Sequence, residues 1–416
     1  MLKIQSLALS HTQFRYLFVV PYIILLIIGM VIPSDGSHGI LSIKSLAFLT
    51  SVVSLAAYLC LYKNLQSKQI NLFFFLILFS CFLIIWIMIS AFAVTDLTSL
   101  YDQFKLIFLT LSVVAMSLFV AQEHLLSYNN FLKVIIYANF FYSLLKIVII
   151  FLFLAGLINL EFFLEKIGIR FMSMAIYGDI TRLQTSVDIV TPFILFFVLQ
   201  SNHLNVYLSK KFKVIYTIIS LLAILLSFSR FLFVAALFSL FLVWCQSNLW
   251  NKFKWLVTVL ILSMIGISWI GYDKVSSVIE LRFFSRSSYE SDSTRTKQID
   301  ALFEEFYKYP LLGKGIGSYS QKVIRDRTIL YSYEVQWVAF LMQFGIFGLL
   351  CLLFPLIMIG LEFLSTPINL LKISCLLVYL LWLAAGFFNP FLISLSSGIM
   401  YALFAWTGRR LRWNSL

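Results

Sequence analysis

Glu334 stands at the mouth of an apolar run. In "YEVQWVAFLMQFGIFG", residues 333–348, it is the one acidic side chain, and no further charge follows until Glu362. A carboxylate beside hydrocarbon is costly unless it has a partner or a task. Two readings fit its place. On the first turn of a helix it would complement the positive end of the backbone dipole. Near a cluster of cations it could accept a proton or position a hydroxyl group. The residues alone leave these two readings level. The cations are present: Arg182, Arg230 and Arg295 lie at the ends of separate segments, and Arg286 and Arg325 share the long polar stretch that precedes Glu334. A guanidinium fork binds phosphate oxygens two at a time, so converging arginines suit a phosphate or diphosphate ligand. A single arginine more often extends to the membrane interface; three at separate segment ends argue for a site. Tyr319 and Tyr333 are further candidates for substrate contact.

Other motifs carry less. "PLLGKGIGS", 310–318, resembles a phosphate loop only in its glycines, because a glycine follows the lysine where serine or threonine is required. It is expected to be a helix stop with a permissive backbone, shaping a loop over a cavity. The five cysteines lie in or beside apolar runs, and the four histidines are scattered. Neither set forms a disulfide framework or a metal site, so no metal and no cofactor are expected. Lys105 and Lys146 fall inside apolar runs, where a charge implies a partner or a function.

The elements that must hold these residues are membrane helices. The chain is 61% hydrophobic and 12% charged, against about 25% charged in an average soluble domain. Runs of about 20 apolar residues occur near 14–33, 40–62, 71–93, 103–121, 131–156, 184–201, 212–227, 229–247, 253–271, 335–359, 367–386 and 389–407. This predicts an all-α polytopic protein of about twelve spans, one transmembrane domain over residues 1–416. The stretch 212–247 is divided at "SFSR". Arg15 stands at the start of the first run with no small-residue cleavage site behind it, so that run is expected to be a retained span. Lys63, Lys68, Lys210, Lys211, Lys252 and Arg409 to Arg412 then fall on one side with both termini, and lysine and arginine mark the cytoplasm. Two polar loops, 157–183 and 272–334, face outward. Within the second, Ile299, Leu302, Phe303 and Phe306 have helical spacing before Pro310, which predicts an amphipathic helix at the outer membrane surface.

Five stretches in order resemble the O-antigen polymerase and O-antigen ligase superfamily. They are "YGDITRLQTSVDIVTPFILFFVL", "LLSFSRFLFVAALFSLFLV", "STRTKQIDALFEEFYKYPLLGKGIGSYS", "YEVQWVAFLMQFGIFGLL" and "FFNPFLISLSSGIMYALF". The resemblance implies a GT-C-like membrane glycosyltransferase in the bacterial inner membrane with its active site facing the periplasm. Its substrates would be oligosaccharides linked to undecaprenyl diphosphate, as donor and as acceptor, with a chain-length regulator as a possible partner and no nucleic acid. Arg182, Arg230 and Arg295 match the family's arginines. Ligase-type members keep a catalytic histidine eleven residues before the first glycine of the "GxxG" in the tenth span; counting back from Gly345 gives Glu334. That departure resembles the polymerase branch, which extends chains, more than the ligase branch, which attaches them to lipid A–core. On this resemblance Glu334 would be the catalytic residue. A transporter of the same lipid is the remaining alternative, and no internal repeat of the kind common in transporters is visible.

Overall fold

The structure is a computed structural model, and it describes residues 16–33, 43–62, 67–93, 96–159, 172–177, 180–248, 252, 286–325 and 329–413. Its frame is helical. The helices that follow the predicted runs are α1 (Val20–Val31), α2 (Ile43–Tyr62), α3 (Ser67–Ala93), α4 (Leu97–Gln122) and α5 (Tyr128–Leu154). After these come α6 (Thr191–Leu199), α7 (Lys210–Leu226), α8 (Arg230–Gln246), α9 (Arg286–Lys308), α10 (Gln336–Phe363), α11 (Leu370–Ala384) and α12 (Leu395–Trp413). Among the described residues, five helical segments are long and apolar enough to cross a membrane: 43–61, 97–122, 128–154, 336–363 and 370–387. The chain is thus a polytopic membrane protein. The predicted run 253–271 lies outside the described residues.

The central packing is α12 against α4 and α10, with α1 against α2 and α5. Residues 399 to 405 of α12 are all buried. Gly398 lets α12 approach α4: a Cβ there would lie 2.7 Å from the Thr110 carbonyl oxygen. Small residues serve this purpose where helices cross in lipid. The break at "SFSR" is present, with Ser227 ending α7 and Ser229 preceding α8.

Two expectations need correction. The run 184–201 is not one span. Its helix, α6, has nine residues, roughly 14 Å of rise, which cannot cross about 30 Å of hydrocarbon. Residues 191 to 198 are buried by other helices, so their apolarity reflects a protein interior and not lipid. The all-α expectation is also incomplete, because part of the loop 157–183 is extended. Strands β1 (Met172–Tyr177) and β2 (Ile180–Gln184) pair antiparallel, with Met174 opposite Arg182, so the fold is helical with one added hairpin. The sequence held a signal for it: Gly178-Asp179 separates the two strands, a pair of residues suited to a two-residue hairpin connection.

The long helix α10 is broken. Gly345 has φ 63° and ψ −172°, a conformation essentially reserved to glycine. The loop 310–315 fills the gap. Lys314 and Gly315 donate backbone N–H groups to the carbonyls of Met342 and Gln343, at 2.9 and 2.8 Å. Ile346 and Phe347 donate to Pro310 and Leu311, at 3.0 and 3.1 Å. Trp86 Nε1 donates to Leu312 O and Phe344 O at 3.0 and 3.2 Å. A break in a membrane helix is tolerated only when protein re-satisfies the freed backbone groups. "PLLGKGIGS" does so here as a backbone wedge within α10, and none of its residues lines either of the two cavities described below, so it does not shape a loop over them.

Candidate active site

The wedge and α9 together place Glu334. One face of α9 carries Arg295, Gln298, Leu302 and Glu305, spaced three or four residues apart. Leu302 and Phe306 pack on Tyr333, Val335, Ala339 and Met342. The predicted apolar stripe therefore covers the start of α10. The charged part of this face docks the loop ends: Lys314 Nζ lies 2.9 Å from Glu305 and donates to the Tyr319 carbonyl at 3.1 Å. Burial alone would raise the Glu305 carboxyl, and hydrogen bonds from Lys308 and Lys314 outweigh it and hold it below its ordinary range. Lys314 is thus an anchor between α9 and the wedge.

Glu334 lies just before α10, one residue ahead of the capping position Val335. The helix-dipole reading placed it on the first turn, and that placement is corrected. Its partners are side chains: Arg295 Nε is 2.9 Å from one carboxylate oxygen and Arg325 Nε is 3.6 Å from the other. Its backbone N–H donates to Gln298 Oε1 at 3.0 Å. Gln298 is fully buried, and its Nε2 has no protein partner among the described residues. The carboxylate is 19% exposed, so it is neither sealed in nor loose.

Next to it in sequence, Tyr333 and Gln336 line a cavity of about 410 Å³ together with Arg325 and Asn389, among others; it is the more polar of two cavities, and Glu334 and Arg295 stand outside its wall. Tyr333 is buried and its hydroxyl accepts from the Ser320 N–H at 2.8 Å. Burial pushes that hydroxyl up to about 12, so it stays protonated and remains a donor. Phe340 and Ile393 line this cavity and also a second one of about 490 Å³, which is apolar and runs between α4, α10 and α12 to Glu362 and Arg409. A polar chamber thus shares a wall with an apolar channel, a shape that suits a ligand with a polar head and a hydrocarbon tail.

The predicted arginines are only partly united. Arg295 and Arg325 meet at Glu334. Arg182 sits on β2 two residues before the cavity wall begins at Gln184, and its side chain lies outside the described residues. Arg230 opens α8 half-buried and does not line the cavity. Arg286 opens α9 with its side chain outside the described residues. Tyr319 packs with the α9–α10 cluster and does not line the cavity. Lys105 is half-buried on α4 and lines neither cavity.

Lys146 has a clear partner that spacing could not reveal. Its Nζ is 2.7 Å from Asp188, both side chains 2% exposed, and donates to the Ala223 carbonyl at 3.0 Å. The other Asp188 oxygen accepts the Thr185 N–H at 2.7 Å, and Tyr142 bonds the Thr185 hydroxyl. Asn139, two turns earlier on α5, joins Thr191 and Tyr216. This polar spine pins the segment 184–188, whose first three residues line the cavity. Breaking a buried pair by removing one partner strands the other charge, at about 3–5 kcal/mol. Lys146→Met is therefore expected to lower the unfolding temperature in detergent sharply. Adding Asp188→Asn, which keeps an acceptor for Thr185, should recover most of the loss.

The fold and site define a polytopic membrane protein whose paired charges and polar cavity abut an apolar channel. Residues 215–353, about a third of the chain, match the family model described as O-Antigen ligase. The match makes this segment similar to that family, supports the O-antigen ligase and polymerase superfamily and does not separate its branches. It takes in Arg230, Arg295 and Glu334 and leaves Arg182 outside. No curated protein and no solved structure matches the chain.

Proposed function

We propose that the protein is an O-antigen polymerase. It moves a growing chain from undecaprenyl diphosphate to the non-reducing end of an incoming lipid-linked repeat unit. The observation that carries this reading is the Glu334 carboxylate between Arg295 and Arg325, with Arg325 also on the wall of the polar cavity that shares Phe340 and Ile393 with an apolar one. The reaction is displacement at an anomeric carbon: the acceptor hydroxyl oxygen bonds to that carbon, the carbon–oxygen bond to the diphosphate breaks, and the hydroxyl proton is lost. It needs an acceptor for that proton and positive charge for the departing diphosphate. Glu334 takes the first role. Arg295 takes the second, with Arg182 and Arg230 as further contributors and Arg325 beside them, so that guanidinium groups do what a divalent cation does in other transferases. The active site faces the periplasm of the bacterial inner membrane, and both termini are cytoplasmic.

The family's printed description supports a second reading, ligation to lipid A–core. A deletion strain separates them. Loss of a polymerase leaves core capped by one repeat on a gel, and loss of a ligase leaves bare core. We expect the first pattern. Turnover by purified protein in detergent, where no second compartment exists, excludes a transporter.

A further inference from the structure

The polar cavity carries an unspent donor. Gln336 is 5% exposed and lines the cavity. Its Oε1 accepts the Leu392 N–H at 2.7 Å. Only the oxygen of an amide can accept, so this bond fixes the orientation and leaves Nε2 as a donor. No protein group among the described residues accepts from it. Unlike Gln298 Nε2, this nitrogen is not sealed away, so a ligand in the cavity can reach it and accept its hydrogen bond. Asn389, on the same wall, spends neither end of its amide on the described residues of the protein. Tyr331 and Phe391 add ring faces. Among the described residues of the wall, Arg325 is the one charged side chain, and it stands 3.6 Å from Glu334. A charged ring would meet Arg325 alone among the described residues of the wall, whereas a neutral ring meets amides that donate and accept.

We propose that this cavity is a subsite for an uncharged sugar ring and that Gln336 is the residue that sets its specificity. The inference rests on the reading of the protein as a glycosyltransferase, and it names the class of sugar next to the reacting bond. The Gln336 amide joins the start of α10 to Leu392 with one end and holds a ring oxygen substituent with the other.

Gln336→Glu separates the two ends. A carboxylate still accepts the Leu392 N–H, so the link to residue 392 survives, but the ligand now meets an anionic acceptor. Binding of maltotriose, chitotriose and trigalacturonate to the purified protein in detergent, followed by saturation-transfer NMR, reads the subsite without turnover. Wild type should bind a neutral trisaccharide and exclude trigalacturonate. Gln336→Glu should weaken neutral binding by about tenfold or more at an unchanged unfolding temperature. The proposal is overturned if trigalacturonate binds as well as the neutral sugars, if neither neutral sugar binds, or if Gln336→Glu binds like wild type. Neutral-sugar binding in a protein that makes no polymer would sink the polymerase reading and leave the subsite standing.

Discussion

Glu334→Gln will reduce polymer formation by about 10²–10⁴-fold, the usual contribution of a positioned proton acceptor, with protein level and unfolding temperature little changed. The substitution is discriminating because of where Glu334 sits. Glutamine has the same shape, and its amide oxygen can still accept from Arg295, whose Nε lies 2.9 Å from the native carboxylate. The backbone bond to Gln298 does not involve the side chain and persists. If Glu334 served only to tie α9 to the start of α10, glutamine would keep most of that tie, and activity would fall by less than tenfold. The measurement is the polymer ladder in a deletion strain complemented by each variant, backed by turnover of lipid-linked repeats in detergent. Arg295→Lys is the companion variant: it keeps a charge but loses the planar fork, and so tests whether diphosphate is held by two parallel bonds. Near-normal polymer from Glu334→Gln would end its assignment as the proton acceptor.

Much of the helical frame was legible because short-range signals carried it. Hydropathy located the helices, since a span must be apolar over a fixed length. The spacing of Ile299, Leu302, Phe303 and Phe306 located α9. The "SFSR" break emerged from polar residues interrupting a run too long for one helix. The contacts that build the site are long-range and escape such reasoning. Lys146 and Asp188 are 42 positions apart, and nothing periodic links them. Run length also misled at 184–201, because a short helix sealed by others and a lipid-facing span are equally apolar. The backbone pairing of 310–315 with 342–347 was hidden for another reason: main-chain bonds are available to any residue, and only the glycines mark where two backbones meet.

Those glycines give the largest expected effect on stability. Gly345→Ala should unfold the α10 break or prevent stable insertion, at a cost above about 3 kcal/mol, because two independent penalties coincide. The first is conformational: φ 63° with ψ −172° is not open to a residue with a Cβ. The second is steric: a Cβ at 345 would lie 2.4 Å from the Leu311 carbonyl oxygen, and this is backbone that cannot swing away. Gly313 is its counterpart, with φ 73° and a Cβ that would sit 2.4 Å from Gln343 O, so Gly313→Ala should behave alike. Gly360 is the control. It lies in the regular part of the same helix, where the nearest atom to an added Cβ is a Tyr379 ring carbon at 3.6 Å, an ordinary contact. Gly360→Ala should therefore be neutral or stabilising by up to about 1 kcal/mol through helix propensity. Unfolding temperatures in detergent for the three variants read the difference directly. Because the wedge orders both the start of α10 and, through Lys314, the face of α9 that carries Arg295, activity should fall with stability at 345 and 313 and hold at 360. Equal stability across all three would mean that the helix continues unbroken through Gly345, and Glu334 would then lose the backbone arrangement that brings it to Arg295.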